Sequence, residues 1–402
     1  MSGSLCDLVD ELAEDLVALL QRLIRIQTVN PPGECYEEFV ADLKSVLEDL
    51  SYATEVHYAP TELAPLGQGL PRPNLIAKLE GDGPLVHLNG HYDVVPVGND
   101  WTKDPFGGEL VDGRIFGRGA ADMKSGLAAQ IIAVEALRRA GHKPNVHQSA
   151  VPDEETVGVR NAGMGWLVEQ GLLEGDAVII TEPFGPDGVG IGHKGAIWGE
   201  ITIFGKQAHG SAPQLGINAV EAMARYLSHI ETHLQPQLGD RVTDYGVTPD
   251  NPRATLSFDT IRGGHATNIV PDRCTVTFNR RLVPGEDLDN ARRELLEPLQ
   301  DVRHEYHETY STEPTLVSED EPVVQAAVRA VKQLGVDPKI LISAGSDDQR
   351  FVVHNAGITN SLVYGPGQTP LSHIADEYIA VSDLVLGTKG LALIIAALEE
   401  SA

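Results

Sequence analysis

His91 and Asp93 in GHYDVVP, Asp122 in GRGAADMKSG, Glu154 and Glu155 in VPDEET, Glu182 in TEP and His373 in SHIADE share one habit. Each comes just after a short apolar run, or after a turn that follows one. Two imidazoles and several carboxylates form a ligand set suited to Zn²⁺ or a similar divalent ion. The extra carboxylate lets Asp122 bridge two such ions, about 3.5–4 Å apart. The chemistry on offer is hydrolysis by a water molecule made acidic by metal.

The positioning elements are legible around these residues. The run at 85–88 reads as a buried strand that ends at His91 and Asp93. Residues 114–116 form another short strand, and the turn GRGAAD delivers Asp122. Behind that turn, Leu127, Ile131, Val134 and Leu137 keep helical spacing, with Gly141 as a stop. The runs at 146–151, 177–180 and 361–364 lead to Glu154 and Glu155, to Glu182, and toward His373. In open α/β sheets, ligands bind outside the carboxyl ends of strands.

GHYDVVP, GRGAADMKSG, VPDEET, TEP, GKQAHGSAP, GGHATNIVP, NRRLVPGED and SHIADE occur in one order over residues 20–395. In that ordered set the chain resembles the di-zinc amidohydrolase and peptidase family of acetylornithine deacetylase, succinyl-diaminopimelate desuccinylase and glutamate carboxypeptidase. The resemblance implies two Zn²⁺ per chain, with Co²⁺ or Mn²⁺ as substitutes. One ion takes His91 and Glu182, the other takes Glu155 and His373, and Asp122 bridges them. Asp93 then accepts the second ring N–H of His91 and fixes its tautomer. Adjacent carboxylates diverge, so Glu155 binds metal and Glu154 is left as general base and then acid.

At 402 residues the chain exceeds one ordinary core. The reading is an α/β fold: a discontinuous di-zinc exopeptidase-like catalytic domain, with a mixed sheet flanked by helices, and an inserted α+β domain. The catalytic domain takes residues 1–193 and 307–402. Residues 194–306 form the insert, which the family uses as a lid and dimerisation domain. In AIWGEITIFG, Ile197, Gly199, Ile201 and Ile203 point one way, the pattern of a strand with one buried face. Further strands are expected in ATLSFDTIRGG and CTVTFNRRL, with helices at 217–233 and 287–299. Helices are also expected at 5–26, 36–50, 322–334 and 382–398, and a loop at 59–73.

In the insert, the resemblance gives His209 a role in stabilising the oxyanion of the partner chain's site, and Asn268 a contact with substrate. Arg281 lies on the polar face of its strand with Thr275, Thr277 and Asn279, where it can fork onto a substrate carboxylate; Arg280 is its rival. Gly365 and Gly367 can line the site with backbone amides. GSDDQRF resembles a family segment with one Asp and one Arg near the site, but Asp347 and Asp348 are paired here, and their roles and that of Arg350 stay open. VPDEETVGVRNAG lacks the glycine pair often found after the double glutamate.

A net charge of −28, from 30 basic and 58 acidic residues, leaves no footprint for nucleic acid or an anionic membrane. The acids are scattered, which fits a salt-adapted, halophile-like surface. Cys6, Cys35 and Cys274 make no disulfide framework. The N-terminus has no leader pattern and no run reaches 18 apolar residues, so a soluble, cytoplasmic protein is expected; the resemblance implies a homodimer through the insert. The expected activity is cleavage of the amide of an N-acyl amino acid. A carboxypeptidase or dipeptidase is the alternative within hydrolases. A silent dimeric binding protein is the alternative outside them, and the intact Glu154 argues against it.

Overall fold

The computed structural model describes residues 4–156 and 161–400. The chain divides into two compact units. The first comprises the chain up to Gly192, Leu316–Ser343 and Asp347–Ala402; the second comprises His193–Thr315 and Ala344–Ser346.

The first unit is built on a mixed sheet whose strands run in the order Ala53–Ala59, Arg72–Leu79, Pro144–Val151, Asp82–His91, Ala177–Ile180, Ser361–Val363, Gly188–His193 and Lys339–Ser343. The middle four are parallel. Central parallel strands are covered on both faces, so they read as continuous apolar runs rather than alternating ones. Ala177–Ile180 and Ser361–Val363 are buried throughout, and Pro144–Val151 nearly so.

Register decides where the chemistry goes. His91 pairs with Val151, Asn89 with Ile180, and Val363 again with Ile180. All four strands therefore end at one edge of the sheet. Asp153, Glu182 and Gly365 follow these ends within two residues. A separate three-stranded sheet joins Glu109–Val111, Arg114–Phe116 and Tyr378–Ala380, all antiparallel.

Lys124–Ala140 runs behind this edge, buried along most of its length, and Gly141 closes it in the left-handed region at φ +94°. Val381–Glu399 packs against it and against Pro322–Gln333. Val381–Glu399 has the length and mean hydropathy to cross a membrane, although Asp383 and Lys389 interrupt it, in keeping with the expectation that no unbroken run reaches 18 apolar residues. Its apolar side chains serve the core instead: Leu384, Leu391, Ala392, Ile394 and Ile395 are buried in this unit. The expected helix at 5–26 is interrupted at Leu12, whose N–H is shared between the Leu8 and Val9 carbonyls, giving Leu5–Glu11 and Ala13–Arg25.

The second unit is an antiparallel sheet in the order Thr255–Gly263, Arg273–Leu282, Gly195–Phe204, His304–Thr312. Ile197, Ile201, Ile203, Val276 and Phe278 form its buried face with Met223, Tyr226 and Leu295. The last three come from Ala219–His229 and Leu288–Leu296, which cover that face. Asn218 and Asp287 start these helices by accepting backbone N–H bonds on their side chains.

Candidate metal centre

His91, Asp122, Glu155, Glu182 and His373 all fall in the first unit, and the structure brings them together. His91 is buried. Its Nδ1 lies 2.9 Å from the Asp93 carbonyl oxygen, which fixes Nδ1 as the protonated nitrogen. Nε2 faces the cluster, 3.1 Å from Asp122 Oδ1 and 3.3 Å from Glu182 Oε1. The other Asp122 oxygen lies 3.4 Å from His373 Nε2, which is itself 2.9 Å from Glu155 Oε1. Asp122 thus turns one oxygen toward each imidazole.

Asp93 differs from expectation in one respect. Its main chain, not its carboxylate, is the nearer partner of the His91 ring; the carboxylate stands off at 3.5 Å. The carboxylate instead accepts the backbone N–H of Glu154 and of Glu155, each at 3.2 Å, and Asn30 Nδ2 at 2.8 Å. A carboxylate takes backbone donors readily where the chain turns through the left-handed region, as it does at Asp153, φ +62°. Asp153 in turn receives Arg72 Nε at 2.8 Å and Asn30 Nδ2 at 2.8 Å.

Four carboxylates, of Asp122, Glu154, Glu155 and Glu182, share the site with two imidazoles. Burial and the neighbouring Glu182 raise the Glu154 carboxyl well above its ordinary value. Burial, with Asp122 beside it and His91 opposing, raises Glu182 to about 8. Burial and Asp122 raise Glu155. Asp122 goes the other way: burial opposes, but His373 and His91 lower it. His373 is raised to about 11 by Asp122 and Glu155. Burial disfavours charge on His91, yet Glu182 and Asp122 raise it well above its usual range.

This set fits two divalent cations. Glu182 Oε1 is buried and makes no hydrogen bond. Buried carboxylates in such number need compensating positive charge, and two divalent ions would match four carboxylates. His91, Asp122 and Glu155 offer ligand atoms all within 4.8 Å of one another, and so do His91, Glu154 and Glu182.

Gly365 and Gly367 act by close approach. A Cβ on Gly365 would fall 2.3 Å from the Thr181 carbonyl and 2.5 Å from that of Glu182; one on Gly367 would fall 2.1 Å from the Ala121 carbonyl. Asp348 is buried and accepts Asn89 Nδ2 at 3.2 Å and Asn161 Nδ2 at 3.3 Å. Burial raises Asp347 to about 7, and its Oδ1 accepts the Gln349 N–H. The segment after the double glutamate, residues 157–160, lies outside the described residues.

His209, Asn268 and Arg281 lie in the second unit. The His209 and Asn268 loops meet there: the Gly210 N–H donates to the Asn268 carbonyl at 2.8 Å, and His209 bridges to Ile269. Both residues are exposed, and His209 Nδ1 lies 2.7 Å from Ser211 Oγ. Arg281 stacks over Trp198 at 5.1 Å, and its Nε donates to Asn279 Oδ1 at 3.1 Å. Its rival Arg280 is fully buried and paired with Glu286.

Sequence reasoning missed Asn30, Arg72, Asn89 and Glu377. Glu377 stood inside SHIADE, but nothing local marks its use. Its Oε1 accepts the backbone N–H groups of Gly119, Ala121 and Asp122 at 3.0, 2.9 and 3.2 Å.

The comparisons agree with this geometry. The family model described as peptidase family M20/M25/M40 matches residues 87–397. A succinyl-diaminopimelate desuccinylase from Rhodospirillum centenum is 33% identical over 393 residues, covering 93% of this chain and 95% of the relative. The corresponding enzyme of Wolinella succinogenes is 30% identical, covering 92% and 96%. Among solved structures, a metallo-carboxypeptidase from Sulfolobus solfataricus gives a TM-score of 0.73 at 20% identity, covering 96% of this chain and 99% of the other. Human carnosine dipeptidase 1 gives 0.73 at 19%, covering 98% of each chain. The chain belongs to peptidase family M20/M25/M40, the metal-dependent hydrolases of amide bonds.

Proposed function

We propose that this chain is a di-zinc deacylase that cleaves the amide bond of an N-acyl amino acid, with an acidic acyl group such as succinyl as the first choice. The observation that carries the reading is the split of the Asp122 carboxylate, one oxygen toward His91 and one toward His373. The desuccinylase relatives support the substrate class.

Two bound divalent ions would be held by His91, Glu182 and Asp122, and by His373, Glu155 and Asp122; they would supply Lewis acidity toward the scissile carbonyl and toward water. Everything else is work for side chains. Glu154 takes the proton of the attacking water and passes it to the leaving amine. Its backbone is held by Asp93, which keeps the carboxylate in place beside Glu182 and His91. The His91 tautomer is held by the Asp93 carbonyl. Arg281 holds the α-carboxylate of the substrate, with its guanidinium already braced by Trp198 and Asn279. Asn268 adds a polar contact to substrate, and His209 donates to the oxyanion of a partner chain's site, so the working form is a homodimer in the cytoplasm. The acidic surface is salt-adapted: molar KCl should raise the unfolding midpoint, and a fall would contradict this.

The test is a panel of N-succinyl, N-acetyl and N-carbamoyl amino acids beside dipeptides, assayed with added Zn²⁺ or Co²⁺. The reading expects the highest kcat/KM on an N-acyl amino acid. A dipeptide or a C-terminally extended peptide turned over faster than every N-acyl amino acid would transfer the protein to the peptidase side of the family.

A further inference from the structure

The two candidate cation pockets are not equally well supported. His91 and Glu182 stand at or just past the ends of adjacent parallel strands, locked by the pairing of Asn89 with Ile180. His373 has no such support. It is half exposed, stands at φ +63°, and belongs to an irregular segment between Thr369–Leu371 and Tyr378–Ala380. Two anchors hold the end of that segment. Asp376 accepts the backbone N–H groups of Thr102 and Lys103, at 2.8 and 3.1 Å. Glu377 accepts the N–H groups of Gly119, Ala121 and Asp122, while its other oxygen receives Arg118.

Glu377 therefore does more than fill a polar hole. Phe116 and Tyr378 are register partners, so the chain leaving one strand and the chain entering the other run side by side. One path leads to Asp122 and the other comes from His373. The Glu377 carboxylate bolts the two together across that gap, fully buried and with both oxygens satisfied. Three backbone donors aimed at one oxygen also fix the peptide preceding Asp122, and with it the direction in which the Asp122 carboxylate leaves the chain.

We propose that Glu377 is the positioning residue of the second cation pocket, setting the separation of Asp122 and His373 so that Asp122, Glu155 and His373 close on one ion. The inference rests on the two-cation reading above. A partner of a metal ligand typically changes affinity by about 10–100-fold when replaced. In E377Q the amide oxygen can keep the three N–H bonds, but the amide nitrogen then faces the Arg118 guanidinium, donor against donor.

The experiment is a Co²⁺ titration of metal-free wild type and E377Q, read by absorption spectrum and by competition with a chelator, with melting of the metal-free proteins alongside. Wild type should take up two ions. E377Q should bind the first within about threefold of wild type and the second about 10–100-fold more weakly, with an altered spectrum for the second ion only. R118K, which keeps the charge but cannot reach both the Glu377 carboxylate and the Pro96 carbonyl as Arg118 does, should shift the second step in the same direction by less, and it serves if E377Q does not fold. Two unchanged steps in a folded variant would overturn the inference and leave the two-cation reading standing. An equal loss at both steps would make Glu377 a general stabiliser and overturn it too. A wild type that takes up fewer than two ions would remove the reading and the inference together.

Discussion

Replacing Arg72 with Met should destabilise the first unit severely, for a reason that can be counted. The Arg72 side chain is fully buried. Its Nε donates to Asp153 Oδ2 at 2.8 Å; its terminal nitrogens donate to the carbonyls of Leu70, Pro71 and Pro32 at 3.1, 3.2 and 2.6 Å. Asp153 is 2% exposed and has Asp93 nearby, whose charge adds to burial in raising its carboxyl to about 6. Met fills much of the stem but leaves Asp153 without its cation. Breaking a buried pair by removing one partner costs about 3–5 kcal/mol. At about 2 °C per kcal/mol, the low end of the range for domains somewhat smaller than this unit, the midpoint should fall by several degrees, on the order of 6 °C. Calorimetry on metal-free protein at pH 7 reads this directly. Because Asp153 immediately precedes Glu154 and Glu155, kcat should fall as well. R72M/D153N removes the stranded charge and should recover more than half of the lost stability. An R72M protein within about 1 kcal/mol of wild type, or a double variant no better than the single one, would refute the reasoning.

Three further outcomes are expected. R281M should raise KM while leaving metal content unchanged; a charge-assisted bond contributes roughly 1.5–3 kcal/mol, so kcat/KM should fall about tenfold or more, and a variant within twofold of wild type would remove the role. Mixing the dead variants H209A and E154A under subunit exchange should restore about a quarter of wild-type activity, since half the dimers are mixed and one site of two is whole in each; no recovery, with exchange confirmed by native mass, would confine His209 to its own chain. In the second unit, burial would raise Glu308, but Arg292, Ser311 and Tyr306 outweigh it and hold it down at about 2. A depressed carboxyl contributes stability that is complete above its ordinary value and is lost as pH falls through the folded one. The stability gap between wild type and E308Q should therefore be full at pH 7 and shrink between about pH 4.5 and 2; a gap independent of pH would contradict this.

The mixed α/β fold was legible because its central strands are parallel and doubly covered: Ala177–Ile180, followed by Thr181 and Glu182, and Ser361–Val363, followed by the Gly-Pro-Gly turn after Tyr364, could be read as apolar runs. The edge strand Ala53–Ala59 was not, since it is mostly half-exposed and its pattern resembles a solvated segment. The clustering of His91, Glu155 and Glu182 was legible for the same reason as the strands, because each stands at or soon after a strand exit; His373, ten residues past Ser361–Val363, was legible only through the resemblance. The supports were not. Arg72 lies 81 residues from Asp153, and Glu377 reaches Asp122 only because Arg114–Phe116 pairs with Tyr378–Ala380. Such contacts depend on register, which local sequence does not carry. Asp93 shows the same limit at short range: its spacing to His91 suggested a bond through the carboxylate, but the turn presents the carbonyl and frees the carboxylate for Glu154 and Glu155.

The central claim is that Asp122 joins two cations and that Glu154 works beside them. Its most direct test is metal analysis of active wild-type protein with activity followed through chelation and stepwise return of Zn²⁺, set against E154Q treated in the same way. Two ions per chain are expected in both proteins, with activity lost on chelation and restored by Zn²⁺ in wild type alone. One ion or none in fully active protein, or wild-type kcat from E154Q, would contradict the account.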